Sequence, residues 1–201
     1  MVMTGQPKIA PAATGAWTHA VRSELERIDN AVYVAVARTL TPTLDLALGD
    51  LSDSANHSRI WLAIAAGMSL SGGPRGRRAA AAGVAAIGLA SVTVNIGLKP
   101  LWRRRRPDRV GAGVPQARHV RMPSSSSFPS GHSASAFAFS TAVGQLSPAS
   151  SVPLRLLAAT IAYSRIHAGV HYPGDVVIGS LTGAIAGEVI AGIHLRRRRR
   201  N

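Results

Sequence analysis

The stretch Tyr163–Asp175, YSRIHAGVHYPGD, places Arg165, His167, His171 and Asp175 within eleven residues. Apolar runs flank it on both sides, and ionisable side chains set among membrane-type apolar segments mark functional sites. Two other stretches answer it: residues 99–107 read KPLWRRRRP, and residues 128–132 read FPSGH. Together they offer fixed cations, a Ser-Gly turn and paired histidines. That set suits a phosphate ester, which must be held, attacked in line and relieved of its leaving group.

Holding a phosphate needs positive charge and N–H donors. The planar fork of arginine binds two phosphate oxygens at once, so Lys99, Arg106 and Arg165 are the candidate ligands. Ser130, Gly131 and His132 form a turn directly before an apolar segment, with Pro129 fixing the approach. Such a turn adds backbone N–H groups and the positive end of a helix. Attack without a metal needs a nucleophile in the chain. There is no cysteine, which also excludes disulfides and thiolate zinc sites. Histidine can serve, forming a phosphohistidine that water hydrolyses. His171 and Asp175, four residues apart, supply the nucleophile and the carboxylate that fixes its tautomer. His132 is the candidate acid for the leaving oxygen.

Blander readings compete at several positions. The spacing of His167, His171 and Asp175 would make a metal-binding stripe on a helix. Pro173 and Gly174 interrupt any helix there and no second ligand cluster is evident, so neither a metal nor another cofactor is expected. His167 reads as a packing or rim residue. Arg103–Arg105, Arg109, Arg118 and Arg121 read as a solvated run facing lipid headgroups. Ser124–Ser127 reads as a flexible lid or spacer. Asn56, His57, Ser58 and Trp61 fall before an apolar run, where they could shape a headgroup pocket, with Trp61 at the membrane interface.

The elements that position these residues are apolar. The chain has 201 residues and a net charge of +14, with 23 basic residues against 9 acidic ones. Only Lys8 and Lys99 are lysines. The arginine and alanine bias points to a GC-rich genome, so an arginine alone says little, whereas a lysine inside a motif is informative. The charge clusters at 75–78, 103–121 and 196–200. A nucleic-acid protein would interleave charge with aromatics along one face. Long apolar runs between basic loops fit a membrane protein in contact with membrane lipid, and no nucleic-acid partner is expected.

Residues 79–98 form the clearest span, and 175–195 the last. Shorter apolar runs occupy 60–73, 132–147 and 152–168, with a weaker one at 31–48 broken by Arg38, Pro42 and Asp45. This predicts an all-α integral membrane bundle of five to six transmembrane helices. Residues 1–30 form a disordered or interfacial segment, with 1–16 as a tail and 17–30 as an amphipathic helix. No cleavable signal peptide is expected. Residues 31–195 form the membrane domain, and 196–201 a basic tail. Residues 49–58 and 99–131 read as loops, the second long enough to be functional. Gly179, Gly183 and Gly187 predict a smooth helix face for close packing. Glu188 is expected to snorkel or to pair with a basic residue. Basic residues favour the cytoplasmic side. If Arg196–Arg200 are cytoplasmic, Arg75–Arg78 are too, and 99–131 and 169–174 face outside.

The three stretches resemble the signature of the type 2 phosphatidic acid phosphatase superfamily, which includes membrane lipid phosphatases, bacterial acid phosphatases and vanadium haloperoxidases. Its first motif is matched by Lys99 and Arg106-Pro107, its second by Pro129–His132, and its third by Ser164, Arg165, His171 and Asp175. The matches come in the right order across residues 99–175. The resemblance implies His171 as nucleophile, Asp175 as its partner and His132 as acid. It implies Lys99, Arg106, Arg165, Ser130 and Gly131 as phosphate ligands, no metal, and a site near the outer surface of the cell membrane.

The expected substrate is therefore a lipid phosphate, with polyprenyl (pyro)phosphate as the first choice. Phosphatidic acid, phosphatidylglycerophosphate and a polyprenyl-phosphoryl sugar phosphate stay open, because the motifs read phosphate and not the group attached to it. A vanadium haloperoxidase would use the same residues, but the apolar spans count against it. A lipid-binding scaffold would not need His132, His171 and Asp175. Oligomeric state is not encoded in these patterns.

Overall fold

The computed structural model describes residues 11–200, and every regular element among them is helical. The helices are α1 (Pro11–Arg38), α2 (Pro42–Ser54), α3 (Arg59–Ser71), α4 (Gly73–Leu101), α5 (Gly131–Leu146), α6 (Ser151–His167) and α7 (Pro173–Arg200). By length and composition α4 and α7 can each cross a membrane, and α1 with α2 can form a third, broken span bent by 118°. At 13, 16 and 17 residues, α3, α5 and α6 are shorter than the roughly 20 residues that span the hydrocarbon core. The five to six transmembrane helices expected from the apolar runs thus include helices shorter than a full bilayer span.

The glycine pattern in α7 explains how the bundle is assembled. Gly179, Gly183 and Gly187 share one face with the buried Ala191. A Cβ at 179 would overlap the Ser130 carbonyl, one at 183 the Ala134 carbonyl, and one at 187 would stand 2.8 Å from the Ala138 carbonyl oxygen. So α7 lies backbone-to-backbone along α5, as small-residue faces allow. Val177, Leu181, Ile185, Val189 and Ile193 form a second row four residues apart, all exposed on the opposite side. In a bilayer that row faces lipid, which satisfies apolar side chains that water would not.

The same logic makes α5 the centre. Its residues 133–136 and 138–144 are buried, most of them Ala, Ser, Thr or Gly, so neighbours approach from every side. Gly83 of α4 accepts Phe139 and Val143 of α5 where a Cβ would collide with both. Trp61 of α3 packs on Phe139 with ring centroids 5.3 Å apart. It is only 1% exposed, so it belongs to the core and not to the membrane interface. Glu188 pairs with the Gln145 amide at 2.8 Å instead of a basic residue.

Several boundaries move from the expected ones. α1 runs unbroken through residues 16 and 30, joining the tail, the amphipathic helix and the start of the weak span; residues 1–10 lie outside the described residues. The loop expected at 49–58 is mostly the end of α2. α4 extends past 98 to Leu101 through a π-turn at Thr93–Leu98. Pro100 supplies the reason: it lacks an N–H and its ring crowds the preceding turn, so the ladder widens before it.

The packing of α7 on α5 predicts a sharp difference between two glycines. Gly183→Ala should lower the thermal midpoint in detergent by an amount equivalent to about 1–3 kcal/mol of overpacking. Gly192→Ala has open space and should leave the midpoint unchanged or raise it slightly.

Candidate active site

Four helix ends meet at one end of the bundle: the last turn of α4, the first of α5, the last of α6 and the first of α7. Each brings predicted residues. Lys99 sits on the last turn of α4, not in a loop. Its Nζ donates to Ser125 Oγ at 3.2 Å and lies 4.0 Å from where a Cβ on Gly131 would stand. Ser130 caps α5, its Oγ accepting from the Ser133 N–H, and its own N–H donates to the Asp175 carbonyl at 2.9 Å. That bond ties the start of α5 to the start of α7. His132, in the first turn of α5, lies within electrostatic reach of Lys99, Arg106, Arg165 and His171. Its Nε2 is 2.9 Å from Asn56 Oδ1, so the turn between α2 and α3 does reach the site.

The α6–α7 connection closes on glycine. Gly169 adopts φ +70°, the left-handed conformation that ends helices at low cost. A side chain there would also meet Tyr33 Oη at 3.1 Å. The reversal folds His171 back so that its N–H donates to the Arg165 carbonyl. Arg165 is 1% exposed. Its Nη1 donates to the Ser52 hydroxyl, while its Nε has no partner.

His171 and Asp175 are both buried. His171 Nδ1 faces Asp175 Oδ2 at 3.4 Å, and Arg106 Nη1 donates toward Nε2 at 3.2 Å. Asp175 is fully partnered: Oδ2 accepts from the Ser127 hydroxyl and from the Tyr172 N–H at 2.9 Å, and Oδ1 accepts from Arg104 Nη1 at 2.9 Å. A carboxylate with that many donors stays ionised and fixed. Arg106 is held by neutral oxygens, donating to the carbonyls of Val170 at 2.7 Å and Ser125 at 3.0 Å. Burial pushes the His171 imidazole down to about 4 from 6.5, with Arg106 and Arg165 adding to the shift against the opposing hydrogen bond to Asp175. The ring is therefore neutral at pH 7, the form in which Nε2 carries a lone pair, here turned to Arg106 Nη1.

The structure thus gathers Lys99, Arg106, Ser130, Gly131, His132, Arg165, His171 and Asp175 into one end of the bundle. It separates His167 from them. His167 Nε2 turns to Thr41 Oγ1 at 2.9 Å and Asp45 Oδ1 at 3.2 Å, away from His171. The helical stripe does not exist, because α6 ends at His167 and α7 starts at Pro173.

Three readings need correction. Ser125–Ser127 are not a flexible spacer: they line the site and hold Lys99, Arg106 and Asp175. Arg104 is not merely solvated, since it bridges Asp29 at 2.6 Å and Asp175 at 2.9 Å. Its guanidinium also stacks 4.0 Å over the Tyr172 ring. Arg118 is 1% exposed; it donates to Asp45 at 2.8 Å and to carbonyls at the end of α1, and so pins the long loop to the α1–α2 bend. The signal for both lay in the acidic residues. A chain with 9 carboxylates that sets Asp45 in an apolar run must pair it.

With the geometry in place, the comparisons with known proteins are direct. The PAP2 superfamily model matches residues 79–199. The chain belongs to the PAP2 superfamily. It is 35% identical over 172 residues to a protein of Mycobacterium tuberculosis named decaprenylphosphoryl-5-phosphoribose phosphatase, covering 84% of this chain and 92% of that one. A Mycolicibacterium smegmatis protein of the same name is 36% identical over 160 residues, covering 78% and 84%. Among solved structures, a transmembrane PAP2 type phosphatidylglycerolphosphate phosphatase from Bacillus subtilis superposes with a TM-score of 0.67 at 21% identity, covering 86% and 87%. Aquifex aeolicus LpxE does so at 0.62 and 27%, covering 80% and 92%. The chain is accordingly an all-helical integral membrane lipid phosphatase.

The His171 environment predicts a pH dependence of stability. The unfolded chain takes up a proton near 6.5, whereas the folded one resists until about 4. The stabilisation is therefore present above 6.5 and is lost as pH falls toward 4. The thermal midpoint should drop across that window, and drop less in His171→Asn.

Proposed function

We propose that this PAP2 enzyme removes the terminal phosphate of a polyprenyl-phosphoryl pentose 5-phosphate through a covalent histidine intermediate. The observation that carries the chemistry is the buried, neutral His171 braced by Asp175 on Nδ1, with Arg106 on Nε2. Lys99, Arg106, Arg165 and the N–H groups at Ser130 and Gly131 hold the phosphate. His171 Nε2 forms a bond to phosphorus while the P–O bond to the sugar carbon breaks. Asp175 steadies the imidazolium that develops. His132, which carries a proton once the phosphate anion lies beside it, gives that proton to the departing oxygen. Neutral His132 then takes a proton from water, whose oxygen attacks phosphorus and releases inorganic phosphate and His171. Every group in the cycle belongs to the chain, so neither step draws on a metal or another cofactor.

The lipid part of the reading rests on the mycobacterial relatives and on a groove beside the site. Val21, Leu25 and Val32 of α1 and Val177 of α7 line it, together with Trp102 and Phe128, whose ring centroids lie 5.9 Å apart. An isoprenoid chain lying there would bring its headgroup to Arg104 and the serine wall. The relatives favour the sugar-phosphate substrate over the polyprenyl diphosphate that the motifs alone suggested first.

For orientation, Arg75, Arg78 and Arg197 share a depression with Leu146 and Pro148 at the opposite end of the bundle. The positive-inside tendency supports placing that end in the cytoplasm of the cell membrane and the site outside. In intact cells an impermeant maleimide should label Ser124→Cys and spare Ala149→Cys, and the reverse pattern would turn the protein over.

The decisive assay is phosphate release by purified protein in detergent with EDTA. The panel is polyprenyl-phosphoryl pentose 5-phosphate, polyprenyl diphosphate, phosphatidylglycerophosphate and phosphatidic acid. Release should persist in EDTA and be fastest on the first. His171→Ala should abolish it, and Asp175→Asn should slow it by about 10²- to 10⁴-fold. Loss of activity in EDTA, or activity in His171→Ala, would contradict the mechanism; preference for another lipid would reassign the substrate.

A further inference from the structure

Asp29 stands outside every motif and outside the matched family segment, which begins at residue 79. It lies on α1, yet both of its oxygens reach the site. Oδ2 receives Arg104 Nη1 at 2.6 Å. Oδ1 receives the Gly174 N–H at 2.6 Å. Gly174 is the second residue of α7, where backbone N–H groups have no partner within the helix and a negative charge is favoured. A Cβ on residue 174 would stand 3.1 Å from Oδ2, so glycine lets the carboxylate come this close.

Arg104 is the link. The same Nη1 also donates to Asp175 Oδ1 at 2.9 Å, so one nitrogen faces both carboxylates. Stacking on Tyr172 keeps the guanidinium between them. Arg104 shared between two carboxylates leaves Asp175 with charge to spend on the Nδ1–H of His171. Arg104 held by Asp175 alone would neutralise that carboxylate and pull it toward the loop.

We propose that Asp29 is a positioning residue for the reaction: through Arg104 and the Gly174 N–H it sets the charge and orientation of Asp175, and makes α1 part of the active site. This rests on the reading of His171 and Asp175 as the catalytic pair. It differs from a packing role because its effect must pass through Arg104.

The test is a double-mutant cycle on the purified full chain, with polyprenyl-phosphoryl pentose 5-phosphate as substrate. If the panel above shows another lipid to be preferred, that lipid is used. Asp29→Asn keeps an oxygen for Gly174 and removes the charge. It should lower kcat by about 10- to 100-fold, leave KM within about twofold, and leave the thermal midpoint near wild type. Asp29→Glu, which keeps the charge, should recover part of the loss. In an Arg104→Gln background Asp29→Asn should cost nothing further, the non-additivity expected of coupled groups. Unchanged kcat in Asp29→Asn, a loss that tracks the thermal midpoint, or full additivity with Arg104→Gln would each overturn the proposal. His171→Ala in the same series keeps the two ideas apart: activity in that variant refutes the catalytic pair, whereas an inactive His171→Ala beside a fully active Asp29→Asn refutes only the role of Asp29.

Discussion

The contact on which the structure depends is the one between two backbones, where α7 lies on α5. Three glycines remove the side chains that would hold the helices apart. The consequence is chemical as well as mechanical. Side-by-side packing brings the N-termini of both helices to the same end, where Ser130 donates its N–H to the Asp175 carbonyl. One start carries Gly131 and His132, and the other carries Asp175. Their aligned peptide dipoles point positive ends at a common space. Neither the shared positive pole nor the spacing of the two histidines would survive a wider crossing.

Around that crossing the carboxylates sort the arginines. Asp45 takes Arg118 and anchors the long loop to the α1–α2 bend. Asp29 and Asp175 share Arg104. What remains near the histidines is Lys99, Arg106 and Arg165, each turned to hydroxyl or carbonyl oxygens in the described structure. The loop therefore has two jobs for one residue type. Some arginines are fasteners closed by an anion of the chain, and others face the site with only neutral partners.

Much of this was legible in the sequence, and for identifiable reasons. Residues that must occupy fixed positions relative to one turn carry their spacing in the chain. Ser130–Gly131–His132 is a helix start, and His171 to Asp175 is a short reversal with Pro173 and Gly174 marking the new helix. The glycine repeat announced a close crossing, though not that α5 would be its partner. What stayed hidden was long-range pairing. The partner of Arg104 on α1 is 75 positions away, and that of Arg118 is 73. An arginine run looks solvated until its carboxylates are found. The roles of Ser125–Ser127 were missed because four serines read as a spacer by composition, while the Ser127 hydroxyl donates to the buried Asp175 and Ser125 Oγ accepts from Lys99. The span count was legible as apolar runs rather than as helix lengths, because a helix enclosed by others, such as α5, need not be as long as the bilayer is thick.

The sorting of arginines has a further consequence for the cations beside the histidines. Folding brings Lys99, Arg106 and Arg165 together with their hydrogen bonds on hydroxyl and carbonyl oxygens rather than on carboxylates, and like charges in a site shielded from water repel. The helix crossing and the loop anchors hold these cations close against that repulsion. An anion held among them would offset that repulsion, and so would act as a brace for the same helix ends that the glycine crossing brings together.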